Sequence, residues 1–334
     1  MHNTKNNIIH IAIAPDNNYV EQCSVVIMSI IKNTKSEDKI LKFHILDGGI
    51  SDINKQKLLK IKNSQNIDII FYDMSCFDCS RFPLNRSHIT ISSYYRLFLT
   101  EILSSSIKKV IYLDCDVVVK QDISLLWNHE IENYNAIVVE DETSILNSKR
   151  LDTKQNYFNS GVMVFNLEKL RKVNFIAECC EYYDKNQDRI IMQDQDILNG
   201  VLDGSCYYMP LNWNANSQLY HKNKVAEHYY TQKDAGEAMR NPAIIHFTGC
   251  YKPWDRQSMH IAKQEYLKYL EYTPFKHNIL QKLLRKIQNF IYVKYKYYGQ
   301  SKLVILGMVF YEKDGNTRKY NILGKKLVFQ NSNK

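Results

Sequence analysis

The segment Lys109-Val-Ile-Tyr-Leu-Asp114-Cys115-Asp116-Val-Val-Val carries an apolar, β-branched run into two carboxylates one residue apart. Hard divalent cations such as Mg2+ or Mn2+ need oxygen ligands, and open α/β sheets bind ligands at the carboxyl ends of their strands. In extended backbone, residues i and i+2 point the same way, so Asp114 and Asp116 can converge on one metal, or on a metal and its ligand. An isolated Asp-x-Asp fits a solvated strand end equally well, and the chain holds a second at Asp194-Gln195-Asp196. The neighbouring pieces must decide between these readings.

One such piece is His246-Phe-Thr-Gly249-Cys-Tyr-Lys252-Pro-Trp254. Neutral imidazole can complete a metal site begun by carboxylates, Gly249 lets backbone approach a ligand closely, and Lys252 brings positive charge to a phosphate. Another is Pro15-Asp16-Asn17-Asn18-Tyr19, which reads as a turn by itself. Its Asp16 and Asn18 can also hydrogen-bond a base edge while Tyr19 offers a stacking face, a combination suited to a pyrimidine nucleotide.

The elements needed to position these groups are legible as alternating strands and helices. Ile8 to Ala14 is an apolar strand, and Val20 to Asn33 is an almost uniformly apolar helix. Phe43 to Asp47 is a second strand, and Ser51 caps a helix running to about Asn63 with Ile53, Leu58, Leu59 and Ile61 buried. Ile67 to Tyr72, a helix over Ser92 to Leu103, and the strand Val110 to Leu113 follow. This βαβαβ order implies a mostly parallel sheet with right-handed crossovers, its strand ends presenting Asp16, Asp47 and Asp114 together. Ala136 to Val139, Val162 to Phe165 and Ile244 to Phe247 add strands, and Gln193 to Leu202 adds a helix opened by acidic residues.

At 334 residues the chain is long enough for a large catalytic domain, placed at 1–255, and a C-terminal region, 256–334. The net charge of +9 is uneven. From Phe275 onward, 13 Lys and Arg face only Glu312 and Asp314, a tail of +11 that leaves the body at −2. Ile279 to Tyr298 is an amphipathic basic-aromatic stretch, and Lys302-Leu-Val-Ile-Leu-Gly307-Met-Val-Phe310 is echoed by Lys319-Tyr-Asn-Ile-Leu-Gly324-Lys-Lys-Leu-Val-Phe329, two strand-like units that imply a hairpin. Apolar residues among the lysines favour an anionic membrane surface as the partner, ahead of a merely solvated basic appendage and, last, of nucleic acid. No run approaches the roughly 18 apolar residues of a membrane span, and no signal-peptide pattern opens the chain, so the expected location is the cytoplasm, peripheral on the inner face of the cytoplasmic membrane. The eight cysteines agree: Cys23, Cys179, Cys180 and Cys206 read as small core residues, and Cys76-Phe-Asp-Cys79 lacks the second pair that a structural zinc needs.

Taken together, these residues resemble the family 8 glycosyltransferases, and within them the bacterial lipooligosaccharide α-galactosyltransferases, from about Ile8 to Trp254. The matching stretches, in order, are Ala14-Pro-Asp16-Asn-Asn18-Tyr19, Phe43-His-Ile-Leu-Asp47-Gly-Gly-Ile-Ser, Phe82-Pro-Leu-Asn85 with His88-Ile, Tyr94-Tyr-Arg96-Leu, Tyr112-Leu-Asp114-Cys-Asp116-Val, Tyr157-Phe-Asn159-Ser-Gly161-Val, Gln193-Asp194-Gln195-Asp196-Ile-Leu-Asn-Gly, and His246 to Trp254. Eight ordered matches are far more specific than any one of them.

The resemblance implies a GT-A fold, an α/β nucleotide-diphospho-sugar transferase architecture with a mostly parallel mixed sheet flanked by helices. It implies a UDP-hexose donor, a divalent cation (Mn2+ or Mg2+) held by Asp114, Asp116 and His246, and Gly249 with Lys252 at the diphosphate. Uridine would be met by Ala14, Asp16, Asn18 and Tyr19, with the Cys115 backbone also in reach of the nucleotide. The transferred sugar would be met by Arg96, Asp114, Asp141, Asn159, Asp194 and Gln195. Cys115 departs from the hydrophobic residue common between the aspartates. The family retains anomeric configuration, and either Gln195 or Asp194 would lie opposite the departing UDP. Galactose is the favoured hexose and glucose the next. The acceptor would be a glycolipid or oligosaccharide of lipooligosaccharide type, contacted through loops such as Leu84 to His88 and Leu211 to Tyr220. Transfer to another acceptor such as a protein glycan, or a degenerate nucleotide-sugar-binding protein, are the alternatives.

Overall fold

A computed structural model describes residues 7–35, 38–62, 65–84, 90–220, 229–297, 300–314, 316–322 and 325–330. Asn85 and His88, expected beside the acceptor, lie outside the described residues, as do Leu323 and Gly324 of the second tail unit.

The central sheet has seven strands in the order β3-β2-β1-β4-β7-β6-β8. In chain order these are β1 (Ile8–Ile13), β2 (Ile40–Asp47), β3 (Ile67–Asp73), β4 (Lys109–Leu113), then β6 (Ala136–Glu140), β7 (Phe158–Asn166) and β8 (Cys206–Tyr208). The neighbours among β1 to β4 pair in parallel, β7 runs antiparallel to both β4 and β6, and β6 pairs in parallel with β8. A second sheet joins β5 (Val117–Val119), β10 (Ile244–His246) and β9 (Ala215–Asn216) in the order β5-β10-β9. This is the mixed, mostly parallel GT-A architecture.

Period-two alternation gives each central strand two apolar faces. Ile9, Ile11, Ile13, Ile111 and Leu113 join one core with the helix Val20–Asn33, while Ala12, Val110 and Tyr112 join the other with the helices Phe175–Asn186 and Asp194–Val201. Two helical expectations change. Ile53 is 73% exposed and the helix ends at Leu59, so only Leu58 and Ile61 of the expected stripe are buried. Ser92 to Leu103 is a 3-10 segment, Ile91–Phe98, followed by a single α-turn, Leu99–Ile102. This segment carries Tyr94, Tyr95, Leu97 and Phe98 into the core together with Arg96.

Burial in the body continues beyond residue 255. Tyr266 and Tyr269 of the helix Lys263–Leu270 pack with Val25, Val118, Ile245 and Phe247. The Tyr266 hydroxyl donates to Glu21 Oε1 at 3.0 Å, and Asn33 Nδ2 donates to the Tyr269 hydroxyl at 2.7 Å. The tail then forms the helix Ile279–Ile291 and a five-stranded antiparallel meander, β11 (Tyr292–Tyr297), β12 (Gln300–Ile305), β13 (Met308–Asp314), β14 (Thr317–Ile322) and β15 (Lys325–Gln330). Each copy of the tail repeat spans two strands and is itself a hairpin, where the sequence reading gave one strand per copy. Leu306 and Gly307, both at positive φ, make the tight turn between β12 and β13, the backbone that a two-residue hairpin requires.

Candidate active site

The strand β4 stops at Leu113, and the chain turns at Cys115 and Asp116 before entering β5 in the other sheet. The two carboxylates therefore converge through a turn, not through the extended i, i+2 geometry expected from the sequence. Pairing of β5 with β10 sets Val117 opposite His246, and the Phe247 N–H donates to the Asp116 carbonyl at 2.9 Å. On the other flank, the Asp114 N–H donates to the Gly161 carbonyl at 2.8 Å, which brings the start of β7 alongside. The Cys115 side chain packs against the hydrophobic core.

His246 Nε2 lies 3.1 Å from Asp116 Oδ1 and 3.9 Å from Asp114 Oδ2. Among the described residues these three form the one cluster able to hold a metal ion, their ligand atoms all within 4.8 Å of one another. Ligands about 2.1 Å from a Mg2+-like ion stand about 3 Å apart at right angles and about 4 Å apart when opposed, so the donor set and its spacing fit a hard divalent cation. Lys252 Nζ lies 2.5 Å from Asp116 Oδ2 and donates to the Phe247 carbonyl at 2.8 Å. Burial pushes the Asp116 carboxyl up, but the Lys252 ammonium and His246 outweigh it and hold it well below the usual carboxylate range. Gly249 adopts φ +78°, and the Trp254 ring meets Tyr19 edge-on with centroids 5.8 Å apart.

Asp16, just beyond β1, accepts at Oδ1 from the N–H groups of Asn18 at 2.8 Å and Tyr19 at 3.1 Å, the turn read from Pro-Asp-Asn-Asn. Ala14 is buried beneath it. Burial first, then the charge of Asp116, raises the Tyr19 hydroxyl above its ordinary range.

The expected sugar-binding residues gather on the opposite side. Buried Arg96 donates to Asp114 Oδ1 at 2.7 Å and to the Ser160 carbonyl at 2.6 Å, pairs with Asp194 Oδ2 at 3.2 Å, and lies 4.3 Å over the Tyr112 ring. Burial holds the Asp194 carboxyl up at about 6, against the lowering pull of Arg96. Gln195 Oε1 accepts from the Ser160 N–H at 3.0 Å, while its Nε2 faces Asp141 Oδ2 at 3.5 Å. Asn159 Nδ2 donates to the same Asp141 oxygen at 3.2 Å. Gln193, immediately before the helix Asp194–Val201, sits at φ +54°, a strained non-glycine backbone.

The second Asp-x-Asp divides between two roles. Asp194 faces the site, whereas buried Asp196 is gripped by Arg150 through two bonds of 2.7 and 2.8 Å and accepts from the Tyr157 hydroxyl and the N–H groups of Ile191 and Met192. Sequence reasoning did not find Asn214, bonded to both Asn159 and His246, nor Glu142, whose carboxyl burial and neighbouring Asp141 raise well above its usual range. The one signal was polar residues at alternate places beside an aromatic, in Asn212-Trp-Asn214-Ala-Asn216.

Fold and site together define a GT-A glycosyltransferase. The chain belongs to glycosyl transferase family 8, whose model matches residues 10–258. General stress protein A of Bacillus subtilis is 32% identical over 80% of this chain and 95% of its own length. The lipopolysaccharide 1,2-glucosyltransferase of Escherichia coli K12 is 26% identical over 80% of this chain and 79% of its own. Among solved structures, the galactosyltransferase LgtC in complex with donor and acceptor sugar analogs is 27% identical, covers 79% of this chain and 96% of that one, and superposes with a TM-score of 0.68. Among the described residues no helix is long and apolar enough to cross a membrane.

Proposed function

We propose that this protein moves a hexose, galactose in first place and glucose in second, from a UDP-hexose to a glycan acceptor of the lipopolysaccharide type, forming an α-linkage with retention. The observation that carries this reading is the Asp114, Asp116 and His246 triad with Lys252 on one side and Arg96, Asp194, Gln195, Asn159 and Asp141 on the other. Relatives named for glucosyl and for galactosyl transfer to lipopolysaccharide support the substrate class and leave the two hexoses in competition.

Cleavage of the sugar–UDP bond leaves negative charge on the diphosphate and positive character on the sugar. A divalent cation held by Asp114, Asp116 and His246 would act as a Lewis acid on the diphosphate oxygens. Lys252, paired with Asp116, would supply an ammonium to the leaving phosphate. Gln195 is a poor nucleophile, and its amide oxygen is already engaged by Ser160. Asp194 is engaged by Arg96 and by the Ser160 hydroxyl. These engagements favour attack on the same face within a tight ion pair, the acceptor hydroxyl passing its proton to the departing phosphate. A glycosyl adduct on Asp194 or Gln195, trapped and seen by mass spectrometry, would overturn the front-face route.

The tail supports a peripheral place on the cytoplasmic face of the membrane. Its helix Ile279–Ile291 exposes Ile279, Leu280, Leu283, Leu284, Ile287 and Phe290 beside Lys282, Arg285 and Lys286, and has no buried residue. Such a stripe suits an anionic lipid surface that carries the acceptor.

The test is release of UDP from a panel of UDP-sugars with Mn2+, with and without EDTA, beside Asp116→Ala, followed by linkage analysis of the product on a lipopolysaccharide core acceptor. Metal-dependent turnover of UDP-galactose, or failing that UDP-glucose, lost in the variant, is the expected result. A folded protein that turns over no UDP-hexose would sink the proposal and favour a nucleotide-sugar-binding role.

A further inference from the structure

Behind the metal-binding triad runs a chain of buried amides whose direction is fixed from one end. The Gly161 N–H can only donate, and its partner at 3.0 Å is a terminal atom of the Asn159 amide. That atom is therefore the carbonyl oxygen, which leaves Asn159 Nδ2 to donate to Asp141 Oδ2, as a carboxylate requires. The same Asn159 oxygen meets a terminal atom of Asn214 at 3.0 Å, so that atom is the Asn214 amide nitrogen. The remaining atom, Asn214 Oδ1, faces His246 Nδ1 at 2.9 Å and can only accept. Asn159, Asn214 and His246 are all buried. Reversing any link would set like groups face to face away from water, at a cost of about 1–3 kcal/mol each.

We infer that Asn214 is a positioning residue for the metal site: it obliges His246 Nδ1 to carry a proton and so leaves Nε2, beside Asp116 and Asp114, to give its lone pair to a cation that the three would share. A histidine that binds a cation through Nε2 needs this tautomer, and a bonded partner at the other nitrogen is what fixes it. The 3-10 turn Leu211–Asn214 runs directly into β9, which pairs with β10 beside His246, so the amide is delivered by the second sheet's own pairing. Asn214 also orients Asn159. One side chain thus ties the metal side of the cleft to the side expected to hold the sugar. The inference rests on the metal-dependent transferase reading above.

The test measures Mn2+ affinity of the full chain by titration calorimetry, in wild type, Asn214→Leu and Asn214→Asp, alongside thermal unfolding. Asn214→Leu removes both bonds and is expected to weaken Mn2+ binding by about tenfold or more, the usual consequence of losing a partner behind a metal ligand. Asn214→Asp keeps an acceptor for His246 but loses the donor to Asn159. It should restore most of the Mn2+ affinity while KM for the UDP-sugar stays raised, a separation that general destabilisation does not produce. Nitrogen NMR of the histidine-labelled, Mg2+-loaded wild type, with His246 assigned by His246→Gln, should place the ring proton on Nδ1. A folded Asn214→Leu that binds Mn2+ as tightly as wild type overturns the inference, and so does a proton on Nε2. If Asn214→Leu fails to fold, the NMR experiment decides alone. Wild-type protein that binds no Mn2+ instead overturns the metal-dependent reading, and this inference falls with it.

Discussion

Gly161 lies against His246 so closely that a Cβ on the glycine would run into the imidazole and stand 2.6 Å from Asp114 Oδ2. The strand β7 can pass beside the metal-binding triad only because this position has no side chain. Gly161→Ala is expected to displace His246 or Asp114 and to weaken Mn2+ binding by about tenfold or more, on the scale of losing a ligand's alignment. Calorimetric titration of the folded variant checks this, and an unchanged Mn2+ affinity would show that the cation binds elsewhere.

Asp196 and Asp194 are two residues apart and should respond to amidation in opposite ways. Asp196 carries the paired bonds from Arg150 and three further donors, so Asp196→Asn breaks a buried ion pair and leaves Arg150 without its counter-charge. The expected loss is about 3–5 kcal/mol in urea denaturation. Activity should fall with it, since Asp196 holds the loop that delivers Gln193 in its strained conformation. A loss below about 1 kcal/mol, the scale of an exposed pair, would contradict the structural assignment of Asp196.

For Asp194 the dependence is on pH. Its carboxyl ordinarily titrates near 3.8 and is held up at about 6, chiefly by burial and despite Arg96. Between those values the folded protein binds a proton that the unfolded chain has released, so this group's contribution is largest at the acid end and declines as pH rises through about 6. The decline is on the order of 3 kcal/mol at about 1.4 kcal/mol per unit. Asp194→Asn removes this titration, so in EDTA its stability relative to wild type should improve between about pH 4 and pH 7. A difference that stays constant across that range would refute it.

Much of this was legible in the sequence because apolar runs mark the strands and the residues that end them. Val20–Asn33 is legible to the residue, Asp16 and Asp114 follow apolar strands, His246 ends one, and Lys252 lies in the loop after it. What could not be read is what depends on partners far along the chain. Asn214 acquires meaning from Asn159 and His246, and Asp196 from Arg150, with no local pattern to announce either pairing. The 3-10 geometry around Arg96 was hidden because a run of buried aromatics satisfies an α-helical reading equally well. In the tail, a repeat unit of nine to eleven residues reads as a single strand, although Leu306-Gly307 in the middle of the first copy is a turn.

That turn also carries the last prediction. Leu306 is bulky, 55% exposed and held at φ +47°, where a leucine is strained and an asparagine before glycine is favoured. The turn is bonded to the end of the amphipathic helix, Leu306 N–H to the Ile291 carbonyl at 3.1 Å and Gly307 N–H to the Phe290 carbonyl at 2.8 Å. It therefore extends the same exposed apolar surface that is proposed to meet lipid. Replacing Leu306 by Asn relieves the backbone and should raise the stability of the tail by roughly 0.5–1 kcal/mol. The same change removes an apolar side chain worth about 1.5–3 kcal/mol when fully buried, so association with anionic vesicles should weaken by about tenfold in co-sedimentation. Leu283→Asp with Ile287→Asp, on the open face of the helix, should abolish it while leaving UDP release unchanged. A Leu306→Asn protein that becomes more stable yet binds vesicles as well as wild type would remove the turn from the membrane contact. Full vesicle binding by the double aspartate variant would remove the helix as well.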